Sequence, residues 1–231
     1  MYTSESFTIK KAVGFAYAMY KEKPWLMLAV LLANIVLLSL SDIAALWQVS
    51  SLTSDVLDIV SLVFSGITIL GTIYISLKLY DGKDARFSDI VAPIRKFFIF
   101  FIAKILYCLL VLLGLIVFIV PGIYVYLKYQ YFAHAMVYKN MGIVESFKES
   151  ARITQGELWH LAKYQLVILL LNISGFITII GFLITLPMTY LADAYVYRKL
   201  STPKQEGDAV SDEAQEILAS FEKNAIAASE V

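Results

Sequence analysis

Apolar and polar positions fall in long blocks along this chain. Apolar runs fill residues 24–47, 56–80, 97–119, 123–138, 158–174 and 176–199, with charged or polar segments between them. A helix crossing a hydrocarbon core of about 30 Å needs roughly 20 predominantly apolar residues. The pattern predicts an all-α integral membrane protein with six transmembrane helices arranged as three hairpins. A second pattern precedes each pair of runs. Over 7–20, 86–96 and 142–155, apolar residues recur at helical spacing with charged residues on the other side. Each hairpin is therefore expected to follow an amphipathic surface helix. Residues 1–200 make up the expected membrane domain. In 201–231 the acidic residues from Glu206 to Glu230 outnumber Lys204 and Lys223, which predicts an acidic cytosolic tail. Ser211 is placed to cap a short amphipathic helix there.

Detail within the runs refines this plan. Ser61, Ser65, Thr68, Thr72 and Ser76 share one helix face. Small and hydroxyl residues let helices approach closely in lipid, so this stripe reads as a packing face, with a polar pathway lining as the alternative. Pro121 and Gly122 interrupt the apolar sequence and are expected to form a tight outer turn. The fourth run is expected to be one helix that places Tyr124, Lys128, Tyr131, Ala135 and Tyr138 on one face. The third surface helix carries Glu145, Ser146, Phe147, Lys148 and Arg152, and Trp159 follows it. Glu145–Lys148 and Glu149–Arg152 are attractive i,i+3 pairs on that helix.

Composition sharpens the class. The chain is 59% apolar and 16% charged, whereas a soluble domain is nearer half apolar and a quarter charged. Net charge is zero, but its distribution is uneven. The three connections at 48–55, around 120–122 and around 175 contain no Lys or Arg. Cytoplasmic loops carry the basic excess, so both termini are predicted inside. The opening residues lack the basic-then-apolar order of a signal peptide. The single cysteine, Cys108, excludes an intramolecular disulfide and lies mid-span.

Three units, each a surface helix followed by a hairpin, share a weak internal likeness. Pro121, Tyr124 and Lys139 find echoes in Pro187, Tyr190 and Arg198, and Gly114 in Gly181. Three segments carry a more specific resemblance: IVPGIYVYLKYQY from Ile119 to Tyr131, MGIVESFKESA from Met141 to Ala151, and TQGELW from Thr154 to Trp159. Together they resemble a family of uncharacterised bacterial polytopic membrane proteins. The pattern is also similar to the membrane domain fused to some glycerophosphodiester phosphodiesterases and to the YciC-like inner-membrane proteins. The resemblance implies a six-span fold in the bacterial inner (plasma) membrane and no particular reaction. The chain carries no soluble phosphodiesterase domain, so no hydrolase activity follows from it.

Candidate chemistry sits in the inner half of the spans. Ionisable residues inside a membrane are functional candidates, and here they are Lys104, Lys128, Lys163 and Asp193. At 1.5 Å per residue, Lys104 lies about 10 Å and Lys128 about 15 Å inside the boundary. With Tyr124 and Tyr131 they suggest a basic cavity for an anionic lipid headgroup, with Asp193 as a counter-ion. Snorkelling lysines are the structural alternative. His134 and His160 have no partner at metal-ligand spacing, and serine nucleophile and phosphate-loop motifs are absent. No metal, cofactor or nucleic acid is expected. The predicted function is non-enzymatic: sensing lipid, organising the membrane or recruiting a protein partner at the cytoplasmic face. The alternative is a small transporter or channel for a lipid or small anion using Lys104, Lys128 and Asp193.

Overall fold

The computed structural model describes residues 7–39, 51–178 and 180–202. The outer part of the first apolar run with Trp47, residues 48–50 and the acidic tail from residue 203 lie outside the described residues. Among the described residues every regular element is helical. They are α1 (Ile9–Glu22), α2 (Pro24–Leu38), α3 (Ser51–Tyr80), a 3₁₀ segment (Phe87–Lys96), α4 (Phe97–Val117), α5 (Ile119–Tyr129), α6 (Phe132–Tyr138), α7 (Ile143–Ile153), α8 (Leu158–Ile177) and α9 (Ile180–Ser201). Three stretches are long and apolar enough to cross a membrane: Asp55–Tyr80, Phe87–Val117 and Leu158–Ile177. Pro24–Val36 is a shorter apolar helix.

The long α3 is the centre of the bundle, packed against α2, α4, α6, α9 and the 3₁₀ segment. Its hydroxyl stripe explains why. Ser61, Ser65, Thr68, Thr72 and Ser76 are all buried. Thr68 donates to Asn34 Oδ1 of α2 at 2.8 Å, and Asn34 Nδ2 donates to Thr72 Oγ1 at 3.3 Å. Thr68, Thr72 and Ser76 also donate to the backbone one turn earlier. No hydroxyl of these three is left without an acceptor in a region poor in water. Gly71 lies directly against the backbone of Ile90, where any Cβ would stand 1.9 Å from the Ile90 carbonyl oxygen.

One end of the bundle is clasped by charge. Arg198 of α9 reaches Asp81 at 2.8 Å, and Lys78 of α3 reaches Asp89 of the 3₁₀ segment at 2.7 Å. Lys139 reaches Glu149 of α7 at 2.7 Å. Lys23, before α2, pairs with Asp84. The N-terminal α1 packs along α9, burying Ala12, Phe15, Ala16 and Met19. Phe15 meets Tyr80 and Tyr195 at ring distances of 5.2 and 5.3 Å. The apolar face of α1 is thus spent on protein contacts.

Two expectations are corrected. The reversal between α4 and α5 falls at Phe118, which is extended (φ −167°, ψ 157°), and not at Pro121-Gly122. Pro121 is the third residue of α5, where the backbone N–H has no intrahelical partner and proline loses nothing. Gly122 instead serves packing: its Cα lies 2.9 Å from where a Gly114 Cβ would be, so the two helices meet backbone to backbone. The fourth apolar run is also not one helix. It breaks at Gln130 and Tyr131 into α5 and α6, although neither proline nor glycine is present.

Candidate functional site

The break is held open from outside the run, by α7. The Lys128 carbonyl, released from helix bonding, accepts from Ser150 Oγ at 3.0 Å and Thr154 Oγ1 at 3.1 Å. The Tyr131 N–H donates to Ser150 Oγ at 3.2 Å. Ser146, Ser150 and Thr154 are completely buried. They repeat every four residues; Ser150 and Thr154 supply the groups that the broken helix lacks, while Ser146 donates to the Ile143 carbonyl of its own helix. Phe147 locks the contact, stacking on Phe132 at 5.1 Å, and Phe132 stacks on Phe100 at 6.0 Å. Beside this stripe the buried Glu149 binds Arg152 through both carboxylate oxygens (2.6 and 2.7 Å). Hydrogen bonds from Arg152, and then from Lys139, outweigh the desolvation of Glu149 and hold its carboxyl down at about 2. Glu145 does not pair with Lys148; it accepts from the Gly142 N–H and closes the start of α7.

The break has a consequence for the residues predicted to share one site. Tyr131 turns into the core and is 1% exposed, while Tyr124 stays outside at 47%. The candidate cations therefore divide between two cavities. A cavity of about 1040 Å³ lies between α3, α4, α5–α6, α8 and α9. It is lined by Lys104, Lys163, Trp159, Tyr131 and Asp193, with many apolar neighbours. Lys128 and Tyr124 line a separate pocket of about 400 Å³ between α5 and α7. No ion pair within 4 Å joins Asp193 to Lys104, Lys128 or Lys163 among the described residues. Asp193 accepts from Tyr164 Oη at 2.9 Å instead.

Within the large cavity, Lys104 sits over the Tyr107 ring at 5.5 Å and Lys163 over Trp159 at 5.6 Å. Both lysines are exposed, as are Ile123, Leu166 and Leu169 beside them. They mark the mouth, and Phe100, Tyr131, Phe132 and His134 form the floor. Gln130 and Gln165 bridge α5 to α8 across it. Asn172 donates to Thr189 at 3.0 Å and to the Ile168 carbonyl, repeating on α8–α9 the bonding of Asn34 on α2–α3. On the floor, both nitrogens of His134 and the hydroxyl of Tyr131 are buried with no hydrogen-bond partner, as is the hydroxyl of Tyr197, whose ring touches both. Their rings lie 5.4 to 6.1 Å apart. Among the described residues no group of three His, Cys, Asp or Glu is placed to hold a metal ion.

The sequence reading missed Ser150, Gln130, Gln165 and Tyr164. Ser146, Ser150 and Thr154 were findable, because their spacing repeats the logic of the α3 stripe. Among the described residues the molecule is thus all-helical, with three helices long and apolar enough to cross a membrane and a large cavity, mixed in polarity, between its helices. It belongs to the family defined by a domain of unknown function, DUF7847, which matches residues 90–228. No curated protein and no solved structure matches the chain.

Proposed function

We propose that this is a non-enzymatic inner-membrane protein that binds a membrane lipid at the inner leaflet. The observation that carries the reading is the large cavity. Its volume, about 1040 Å³, stands at the upper end of small-molecule sites, which run from about 300 to 1,000 Å³. Its wall is mainly apolar, its mouth carries Lys104, Lys163 and Trp159, and its floor holds unpartnered tyrosine and histidine groups. An amphiphile matches that order: chains along the apolar wall and a polar head beside the lysines.

The proposed topology is six spans, α2, α3, α4, α5 with α6, α8 and α9, with both termini cytoplasmic. The lack of Lys and Arg in the three opposite connections supports it. A bacterial inner membrane is the location that the sequence resemblance to the YciC-like proteins implies. A transport reading keeps Lys104 and Asp193 as cavity residues; Lys128, in a different pocket, drops out of that group.

Lipid retention tests the proposal. Purified in mild detergent, the wild-type protein is expected to carry bound lipid in native mass spectra. Leu166→Trp at the mouth, and Lys104→Gln with Lys163→Gln, are expected to lower it several-fold. Equal lipid in all three proteins would remove the cavity as a lipid site.

A further inference from the structure

The smaller pocket holds a second chemistry. It lies between α5 and α7 and includes Tyr124, Lys128, Lys148, Arg152, Gln155 and Gly156. Three cationic side chains converge there, and Glu149 answers Arg152. The other two have no such answer. Among the described residues neither Lys128 nor Lys148 forms an ion pair. The Lys128 ammonium lies 3.3 Å from Tyr124 Oη, a neutral partner. An anion entering this space would be attracted by both ammonium groups. The Lys128 backbone is tied to α7: its carbonyl accepts from Ser150 and Thr154. The same helix brings Lys148 and Arg152 to the pocket.

An adjoining pocket defines the anion further. It measures about 280 Å³ and is lined by Leu106 and Leu110 of α4, Tyr129 of α5, and Ile143, Val144 and Phe147 of α7. Lys148 and Ala151 line both pockets, so the apolar space opens directly beside the basic one. A free phosphate would use only half of this arrangement. A phosphate joined to an acyl chain uses both.

We propose that the paired pockets bind an anionic phospholipid. Its phosphate sits among Lys128, Lys148 and Arg152, and one chain lies against Leu106, Leu110 and Phe147. This site is distinct from the large cavity and does not depend on it. The amphipathic α7 then acts as a headgroup-reading element.

Binding of dioctanoyl phosphatidate, dioctanoylglycerol and inorganic phosphate to the full chain in detergent tests this by calorimetry. Phosphatidate is expected to bind, with inorganic phosphate at least tenfold weaker and dioctanoylglycerol weaker still. Lys128→Gln with Lys148→Gln should weaken phosphatidate at least tenfold. Neither side chain pairs with a carboxylate, so the thermal unfolding of this variant should match wild type. Leu106→Trp should weaken phosphatidate and leave inorganic phosphate unchanged. Leu166→Trp, in the large cavity, should change neither. Inorganic phosphate binding as tightly as phosphatidate would overturn the lipid assignment. Undiminished phosphatidate binding by the double lysine variant would overturn the site, as would its loss in Leu166→Trp.

Discussion

Ser150 is the residue on which the inner half of the molecule turns. Its hydroxyl donates to the Lys128 carbonyl and accepts from the Tyr131 N–H, so it closes the gap in the fourth run from both sides. Ser150→Ala leaves the Tyr131 N–H buried and unpaired and the Lys128 carbonyl with Thr154 alone, at a cost on the order of 1–3 kcal/mol. Thermal unfolding in detergent should show that loss, while Ser174→Ala, at an exposed site, serves as the unchanged control. Glu149 is the titratable counterpart. Its carboxyl titrates near 2, against an ordinary 4.5. A depressed pKa means the ionised form stabilises the fold at pH above about 4.5, and that this contribution is lost as pH falls towards 2. The stability of wild type should fall through that window, and Glu149→Gln should flatten the curve there. An equal acid slope in both proteins would show that the Lys139–Glu149–Arg152 cluster does not carry it.

At the scale of elements, the helices pack through small residues, and two glycines show how tightly. Gly71 of α3 meets the Ile90 backbone, and backbone cannot swing aside as a side chain can. Gly71→Ala should destabilise by about 1–3 kcal/mol, the usual cost of overpacking. Gly14→Ala, with open space around its Cβ, should not. Gly114 and Gly122 join α4 to α5 as Gly175 and Gly181 join α8 to α9. The repeat that the sequence suggested by pairing Gly114 with Gly181 is therefore shifted: by position, Gly114 corresponds to Gly175. Helix existence and the three amphipathic segments were legible, because both depend on local periodicity. The break at Gln130–Tyr131 was not. Nothing in that run disfavours a helix, and the hydroxyls that stabilise the break come from α7, about 20 residues later. The candidate site was legible as a set of residue types and not as a place. Lys104, Lys163, Tyr131 and Asp193 line one cavity, and Lys128 and Tyr124, on another face of α5, line a second.

At the scale of the whole molecule, polarity is sorted along the bundle. Ion pairs from Lys23–Asp84 to Arg198–Asp81 gather at one end with α1, α7 and the 3₁₀ segment. The exposed apolar side chains of α4 and α5 from Leu112 to Ile123 lie towards the other. Reporter fusions after residue 120 and after residue 202 should appear on opposite sides of the membrane; the same side for both would break the hairpin topology. The central claim is that the large cavity holds lipid, and photocrosslinking tests it most directly. A benzophenone amino acid at Leu166, in membranes containing a clickable phospholipid, should label the protein strongly. The same group at Tyr17, exposed on α1, should label it weakly. Labelling at Leu166 no stronger than at Tyr17, or undiminished when Lys104 and Lys163 are both changed to Gln, would contradict the account.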